Sequence, residues 1–205
     1  MLKIAVVGSG PSGFYTAEAL LKSSKAEVDM LERLPVPYGL VRYGVAPDHA
    51  KLKLPATTYA RTAALSGFRF VGGVTVGKDV SVEELKDAYH AVVFCCGAET
   101  DRELGIPGEN LPGSHAATAF VGWYNGHPDF LQHSFDLTQE QVVIIGQGNV
   151  AADVCRILAK PVDDLRQTDI AEHALQALAE SRVREIHIIG RRGPAQAKFT
   201  DKELR

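Results

Sequence analysis

An α/β fold with two strand–glycine turn–helix units in series is what this 205-residue sequence predicts. Three observations carry that reading. Apolar stretches such as Leu2–Val7 and Val142–Ile145 have the length and texture of strands buried on both faces of a parallel sheet. Each runs into a glycine-spaced turn, "GSGPSG" at Gly8–Gly13 and "GQGNVA" at Gly146–Ala151. Each turn then opens a helix-forming stretch with apolar residues at helical spacing.

Composition narrows the function classes. A net charge of -3 offers no electrostatic footprint for nucleic acid or a membrane surface. The longest apolar runs are strand-sized, far too short to cross a bilayer. Met-Leu-Lys-Ile leads straight into a strand, so neither a leader peptide nor membrane insertion is expected. Cys95, Cys96 and Cys155 show neither metal-ligand nor C-x-x-C spacing, so no metal site and no disulfide scaffold is expected. A reducing, cytoplasmic setting follows.

The elements fall in a definite order. After Leu2–Val7 and the first turn, a helix presents Ala17, Leu20 and Leu21 as its inner stripe. A second strand, Glu27–Leu31, ends at Glu32, which completes a βαβ unit of roughly thirty residues. Arg33–Lys53 is rich in Pro and Gly and reads as a long ordered loop, a feature that is usually functional. Lys51–Leu65 reads as helix and Phe68–Val76 as one or two short strands. Ser81 and Glu84 form a capping box for a helix through Ala88, and His90–Cys96 is another buried strand. The turn-rich "GIPGENLPG" then marks a crossing between domains, giving one unit over 1–99 and a second over 100–205. In that second unit, Ala116–Tyr124 forms a helix, and strand Val142–Ile145 and helix Val150–Ala159 flank the second turn. A helix over Ile170–Glu180 is opened by Asp169 with Glu172, and strand Glu185–Ile189 ends at Gly190-Arg191-Arg192.

The first turn fits a dinucleotide pyrophosphate. Gly8 allows the tight turn, Gly10 lets phosphate approach the backbone, and Gly13 lets the helix pack close to its strand. The helix N-terminus adds free N–H groups and partial positive charge. Glu32 stands where the acid of this motif belongs. A carboxylate accepts from ribose hydroxyls and repels a 2′-phosphate, so this turn suits FAD or NAD. The bland alternative is a purely structural strand–helix joint.

The second turn places Gly146, Gly148 and Ala151 in the same pattern. No acid ends its next strand; Arg191 and Arg192 do, and planar guanidinium groups match phosphate with paired hydrogen bonds. The alternative is a solvated basic pair. One acid-ended and one arginine-ended turn in series suggest FAD in the first and NADP(H) in the second, with electrons passing between them.

Longer stretches go beyond this pattern. "VPYGLVRYGVAPDH" (Val36–His49), "GQGNVAADVCRIL" (Gly146–Leu158) and "GRRGPAQAKFTDKELR" (Gly190–Arg205) resemble ferredoxin–NADP reductases of the adrenodoxin reductase type. So does "HAVVFCCGAETDRELGIPGENLPG" between them. The resemblance covers essentially the whole chain. It implies two Rossmann-like units of the glutathione-reductase type, an enzyme that takes a hydride from NADPH onto FAD, and ferredoxin or a similar iron–sulfur protein as electron acceptor. By position it implies FAD contacts at Gly8, Gly10, Ser12 (where the family usually has Ala), Gly13, Glu32, Leu40 and Val76. It implies NADP contacts at Gly146, Gln147, Gly148, Asn149, Val150, Arg191, Arg192 and Glu203. A carboxylate beside a phosphate is odd, so Glu203 either orients an arginine, accepts from the ribose, or is simply a solvated acid. Asp48-His49 lies in the same family loop and is assigned an auxiliary part in proton movement or partner docking.

Three other readings remain. A flavin disulfide reductase needs a redox cysteine pair, and the electron-input subunit of a glutamate synthase-like complex needs iron–sulfur cysteine clusters; this sequence has neither. The third is a non-catalytic nucleotide-binding fragment. "FTDKELR" reads as a helix opening capped by Thr200 with Glu203, and the second sheet wants more strands than this sequence supplies. The expectation is therefore the N-terminal portion of a longer reductase. By itself it should lack NADPH–ferredoxin reductase activity and hold FAD loosely or not at all.

Overall fold

The computed structural model describes residues 1–23, 25–98 and 100–199. They form two compact units, Met1–Val45 with Lys51–Glu99, and Ala46–Ala50 with Thr100–Arg205. Residues 46–50, which the sequence reading keeps with the first unit, pack with the second.

The first unit is a parallel sheet. Strand β1 (Leu2–Val7) leads through the glycine turn into helix α1 (Pro11–Ser23), and β2 (Ala26–Glu32) returns beside β1. Pro11 suits the first position of α1, where an N–H would have no helical partner. The loop after Glu32 contains two short turns of helix, α2 (Leu40–Tyr43) and α3 (Ala50–Lys53). Helix α4 (Pro55–Ala63) follows. A single helix over Lys51–Leu65 does not form. Pro55 has no N–H to donate and crowds the turn before it, so α3 and α4 are separate, with Pro55 opening the second. Strand β3 (Phe68–Gly72), helix α5 (Val82–Ala88) and strand β4 (Ala91–Phe94) complete the unit, in sheet order β3-β2-β1-β4. The Ser81–Glu84 capping box forms as expected.

Both faces of this sheet are covered, which explains the apolar run Ile4–Val7 of β1. Ile4 and Val6 pack with Phe14, Ala17, Val28, Met30 and Tyr59 on one face. Ala5 and Val7 pack with Leu31 and Leu85 on the other, with Val76 and Val80 against them. The covered sheet fixes the carboxyl ends of β1 and β2, where the first glycine turn sits.

The second unit repeats the pattern on a smaller sheet. Helix α6 (Ala117–Tyr124) precedes β5 (Gln141–Ile145), the second turn, α7 (Asn149–Ala159), α8 (Val162–Leu165), α9 (Glu172–Ala179) and β6 (Glu185–Ile189). Strands β5 and β6 pair in parallel, with Gln141 opposite Glu185 and Ile145 opposite Ile189. Phe120, Trp123 and Tyr124 of α6 pack against Val154 and Ile157 of α7 and Leu175 and Leu178 of α9. Helix α9 starts later than Asp169 and Glu172 predict. Its cap position is Ala171, with no side-chain cap bond, because the Ala171 N–H donates to the Tyr124 carbonyl at 2.9 Å and fixes the entry there. Among the described residues, no helix is long and apolar enough to cross a membrane.

Candidate nucleotide-binding sites

The first turn is built by close backbone approach. The Gly8 N–H donates to the Leu31 carbonyl at 2.8 Å, which seats the turn at the end of β2. Gly8 has φ +104°, and a Cβ there would lie 2.5 Å from the Cys95 carbonyl oxygen. A Cβ on Gly13 would overlap the carbonyl oxygen of Gly8, so α1 presses directly on the turn. Gly10 is different, with nothing within 4 Å of where its Cβ would stand. That open space, beside the first amides of α1 at Ser12 and Gly13, is where a phosphate oxygen can approach the backbone.

A strap from the following loop crosses this turn. The Tyr38 N–H donates to the Ser9 carbonyl at 3.0 Å, and a Cβ on Gly39 would come within 2.8 Å of the Gly10 Cα. Tyr38 itself sits at φ 94°, a conformation that costs a non-glycine residue about 1–3 kcal/mol. Its ring packs on Phe14 at 5.4 Å and Tyr59 at 5.9 Å, while the Arg42 guanidinium lies 5.4 Å from its centre. Those contacts hold the strained backbone. Leu40 follows directly and is 69% exposed, an apolar surface left in solvent next to the open turn.

Glu32 is already oriented. Its Oε2 accepts from the Ser9 N–H at 2.9 Å and the Ser9 hydroxyl at 2.6 Å, and its Oε1 accepts from the Leu34 N–H at 3.1 Å. A carboxylate has about four acceptor positions, so lone-pair capacity remains on Oε1 for a ribose hydroxyl. These residues fit the adenosine half of a dinucleotide.

The second turn matches the first with one relaxation. The Gly146 N–H donates to the Ile189 carbonyl at 2.8 Å, as Gly8 does to Leu31, and Gly146 has φ +139°. The Ala151 Cβ lies 4.0 Å from where a Gly146 Cβ would stand, so alanine fits where the first turn demands glycine. Gly148 caps α7 with nothing within 4 Å of its Cβ position, and Asn149 and Val150 open the helix in exposed positions. The side chain of Gln147 lies over Gly190, where any Cβ would overlap it. Arg191 and Arg192 follow immediately and are exposed. These residues fit a pyrophosphate with a further phosphate beside it. Thr200 and Glu203 lie outside the described residues.

Asp48 and His49 belong to the second unit, and the carboxylate nearest the His49 ring is not the one adjacent in sequence. Asp48, only 4% exposed, accepts from Arg156 Nε at 2.7 Å, Arg156 Nη2 at 3.0 Å and Lys160 Nζ at 2.7 Å. Arg156 Nη2 also donates to Asp153 at 2.7 Å, and His49 Nδ1 lies 3.7 Å from the same Asp153 oxygen. The carboxylate nearest the His49 ring is therefore Asp153, while the Asp48 carboxylate is taken up by Arg156 and Lys160. Burial alone would raise the Asp48 carboxyl, but the hydrogen bonds and charges of Arg156 and Lys160 outweigh it and hold it at about 2. The sequence reading missed Asp153, Arg156 and Lys160. Their spacing of three and four along α7 is the one signal that could have found them.

This cluster gives a stability prediction. The Asp48 carboxyl is depressed in the folded chain, from 3.8 to about 2. Its stabilising contribution is thus complete above pH 3.8 and lost as pH falls toward 2. Asp48→Asn removes the carboxylate that Lys160 and Arg156 share, leaving Arg156 its bond to Asp153, and should cost about 2–4 kcal/mol at neutral pH. Denaturant unfolding across pH 2–5 checks both statements: the variant should lose the acid dependence that Asp48 supplies. An unchanged acid slope would reject that contribution.

Comparison with known proteins agrees with this geometry. Residues 2–202 match the pyridine nucleotide-disulphide oxidoreductase family. The chain is 54% identical over 206 residues to an NADPH:adrenodoxin oxidoreductase of Arabidopsis thaliana, covering 100% of this chain and 43% of that protein. It is 53% identical over 208 residues to NADPH-ferredoxin reductase FprA of Mycobacterium leprae, covering 98% of this chain and 46% of that protein. Among solved structures, Mycobacterium tuberculosis FprA in complex with NADPH superposes with a TM-score of 0.97 at 53% identity, over all of this chain and 46% of that one. The chain thus spans under half the length of the relatives it matches. With both glycine turns, their parallel strands and nearly every residue inside the match, this chain belongs to the pyridine nucleotide-disulphide oxidoreductase family.

Proposed function

We propose that this chain supplies the two nucleotide-binding units of a flavin-dependent reductase. The enzyme draws a hydride from NADPH onto FAD and passes electrons singly to ferredoxin or a similar iron–sulfur protein. The observation that carries the reading is the asymmetry of the two turns: an open glycine beside an oriented carboxylate, Glu32, and an open glycine beside Arg191 and Arg192. The names of the relatives, NADPH:adrenodoxin oxidoreductase and NADPH-ferredoxin reductase, agree with it.

FAD supplies the change from two-electron to one-electron transfer when bound. This chain's residues bind and orient. Gly8, Gly10, Ser12 and Gly13 present backbone and helix N-terminus to the flavin nucleotide's pyrophosphate, and Glu32 accepts from its ribose. Leu40 and Val76 give apolar surface. Gly146 to Val150 hold the second pyrophosphate, and Arg191 and Arg192 take the 2′-phosphate. Hydride transfer needs no protein base, so His49, with Asp153 as its carboxylate, is auxiliary. A cytoplasmic location follows the mycobacterial relatives; the plant and animal relatives are named mitochondrial.

Exchanging this chain for the matched stretch of Mycobacterium tuberculosis FprA tests the reading. The hybrid should carry flavin and reduce ferredoxin with NADPH in strong preference to NADH. A folded, flavin-containing hybrid that uses both nucleotides equally, or fails to reduce ferredoxin, would reject it.

A further inference from the structure

Beyond the arginine pair, one more basic residue is tied to the second turn by its backbone. Lys198 lies outside the strand–turn–helix pattern, yet its backbone N–H donates to the carbonyl of Gln147 at 2.8 Å. Gln147 is the middle residue of the glycine turn, and its side chain lies over Gly190. The chain thus leaves Gln147 at Gly190 and returns to it at Lys198. A 3-10 turn at Pro194–Gln196, closed by the Gln196 N–H donating to Gly193 at 3.0 Å, makes the return. Both ends of this loop are tied to one residue of the phosphate turn.

The charge in the loop is one-sided. Gly190 to Phe199 contains Arg191, Arg192 and Lys198 and no acid, in a chain whose net charge is -3. A basic surface loop needs no fixed backbone to stay solvated. Here the backbone is fixed, and fixed to the residue that precedes Gly148, the cap of α7. Lys198 is exposed, so its ammonium carries no burial cost and is available to an anion. Lysine acts on phosphate as a mobile point charge, whereas arginine provides a planar fork.

We propose that Lys198 is a specificity-determining residue of the second site, a third cation recognising the 2′-phosphate of NADP(H). The inference rests on the nucleotide assignment made above. It places the phosphate between the arginines at one end of the tied loop and Lys198 at the other. The arginines set the geometry. Lys198 adds attraction that is screened by salt.

The test is a binding titration of the whole chain with NADPH and NADH, for the wild type, Lys198→Ala, Lys198→Arg and the double variant Arg191→Ala/Arg192→Ala. Lys198→Ala should bind NADPH about 3- to 10-fold more weakly at low salt, with NADH unchanged. Lys198→Arg should restore NADPH binding, and the deficit of Lys198→Ala should shrink as salt is raised. If the wild type itself does not prefer NADPH, the nucleotide assignment fails and this inference with it. If the wild type prefers NADPH and the double arginine variant loses the preference while Lys198→Ala keeps it, Lys198 alone is excluded. Equal losses for both nucleotides would place Lys198 at the pyrophosphate and overturn the proposal as stated.

Discussion

Replacing both Arg191 and Arg192 by alanine is expected to weaken NADPH binding by at least ~10- to 100-fold while hardly changing NADH binding. A hydrogen bond to a charged group contributes roughly 1.5–3 kcal/mol, and each 1.4 kcal/mol is about tenfold in affinity. The two arginines follow Gly190, whose lack of a side chain lets the strand end lie against Gln147 of the glycine turn. A phosphate attached to the adenosine ribose is the group that distinguishes the two nucleotides. The loss must therefore fall on NADPH alone. Isothermal titration with each nucleotide decides it, and matched losses would show that the arginines serve general charge attraction instead.

Gly13→Val is expected to disable the first unit. A Cβ at this position meets the backbone carbonyl of Gly8, which cannot swing aside as a side chain could. Either α1 moves away from the sheet or the turn opens, and overpacking of this kind costs about 1–3 kcal/mol or more. The open space at Gly10 proposed for the pyrophosphate is shaped by the same turn, so FAD affinity should fall along with stability. The second turn supplies the control. Ala151 occupies the equivalent place with its Cβ 4.0 Å from the Gly146 Cβ position, so Ala151→Gly should cost no more than about 1 kcal/mol. Denaturant midpoints and FAD titration read both variants. A Gly13→Val chain with wild-type stability would mean that close helix–strand contact is not what the glycine provides.

The parts of this molecule that were legible in the sequence are those set by local rules. Apolar runs, glycine spacing and the terminal acid or arginines located both turns and their helices, because each is fixed within a few residues of chain. The Ser81–Glu84 box formed for the same reason. Helix boundaries were less legible where a longer-range contact decides them. The Ala171 N–H bonds to Tyr124, far back in the chain, and that tie overrides the Asp169 cap. Pro55 is visible in the sequence, and it separates α3 from α4. Asp48 stands next to His49 in sequence, whereas its partners are more than a hundred residues away, Arg156 on α7 and Lys160 just past its end. Pairing across such a distance has no local signature. Tyr38 likewise gives no hint in sequence of its φ of 94° or of its backbone bond to Ser9.

Two turns holding two different nucleotides at once is best tested by titrating FAD and NADPH together onto the chain, followed by flavin fluorescence and calorimetry. One FAD and one NADPH should bind per chain simultaneously, FAD the more loosely, with Gly13→Val removing only the first and the double arginine variant only the second. FAD displacing NADPH in proportion to its concentration would mean a single shared site and would contradict the account.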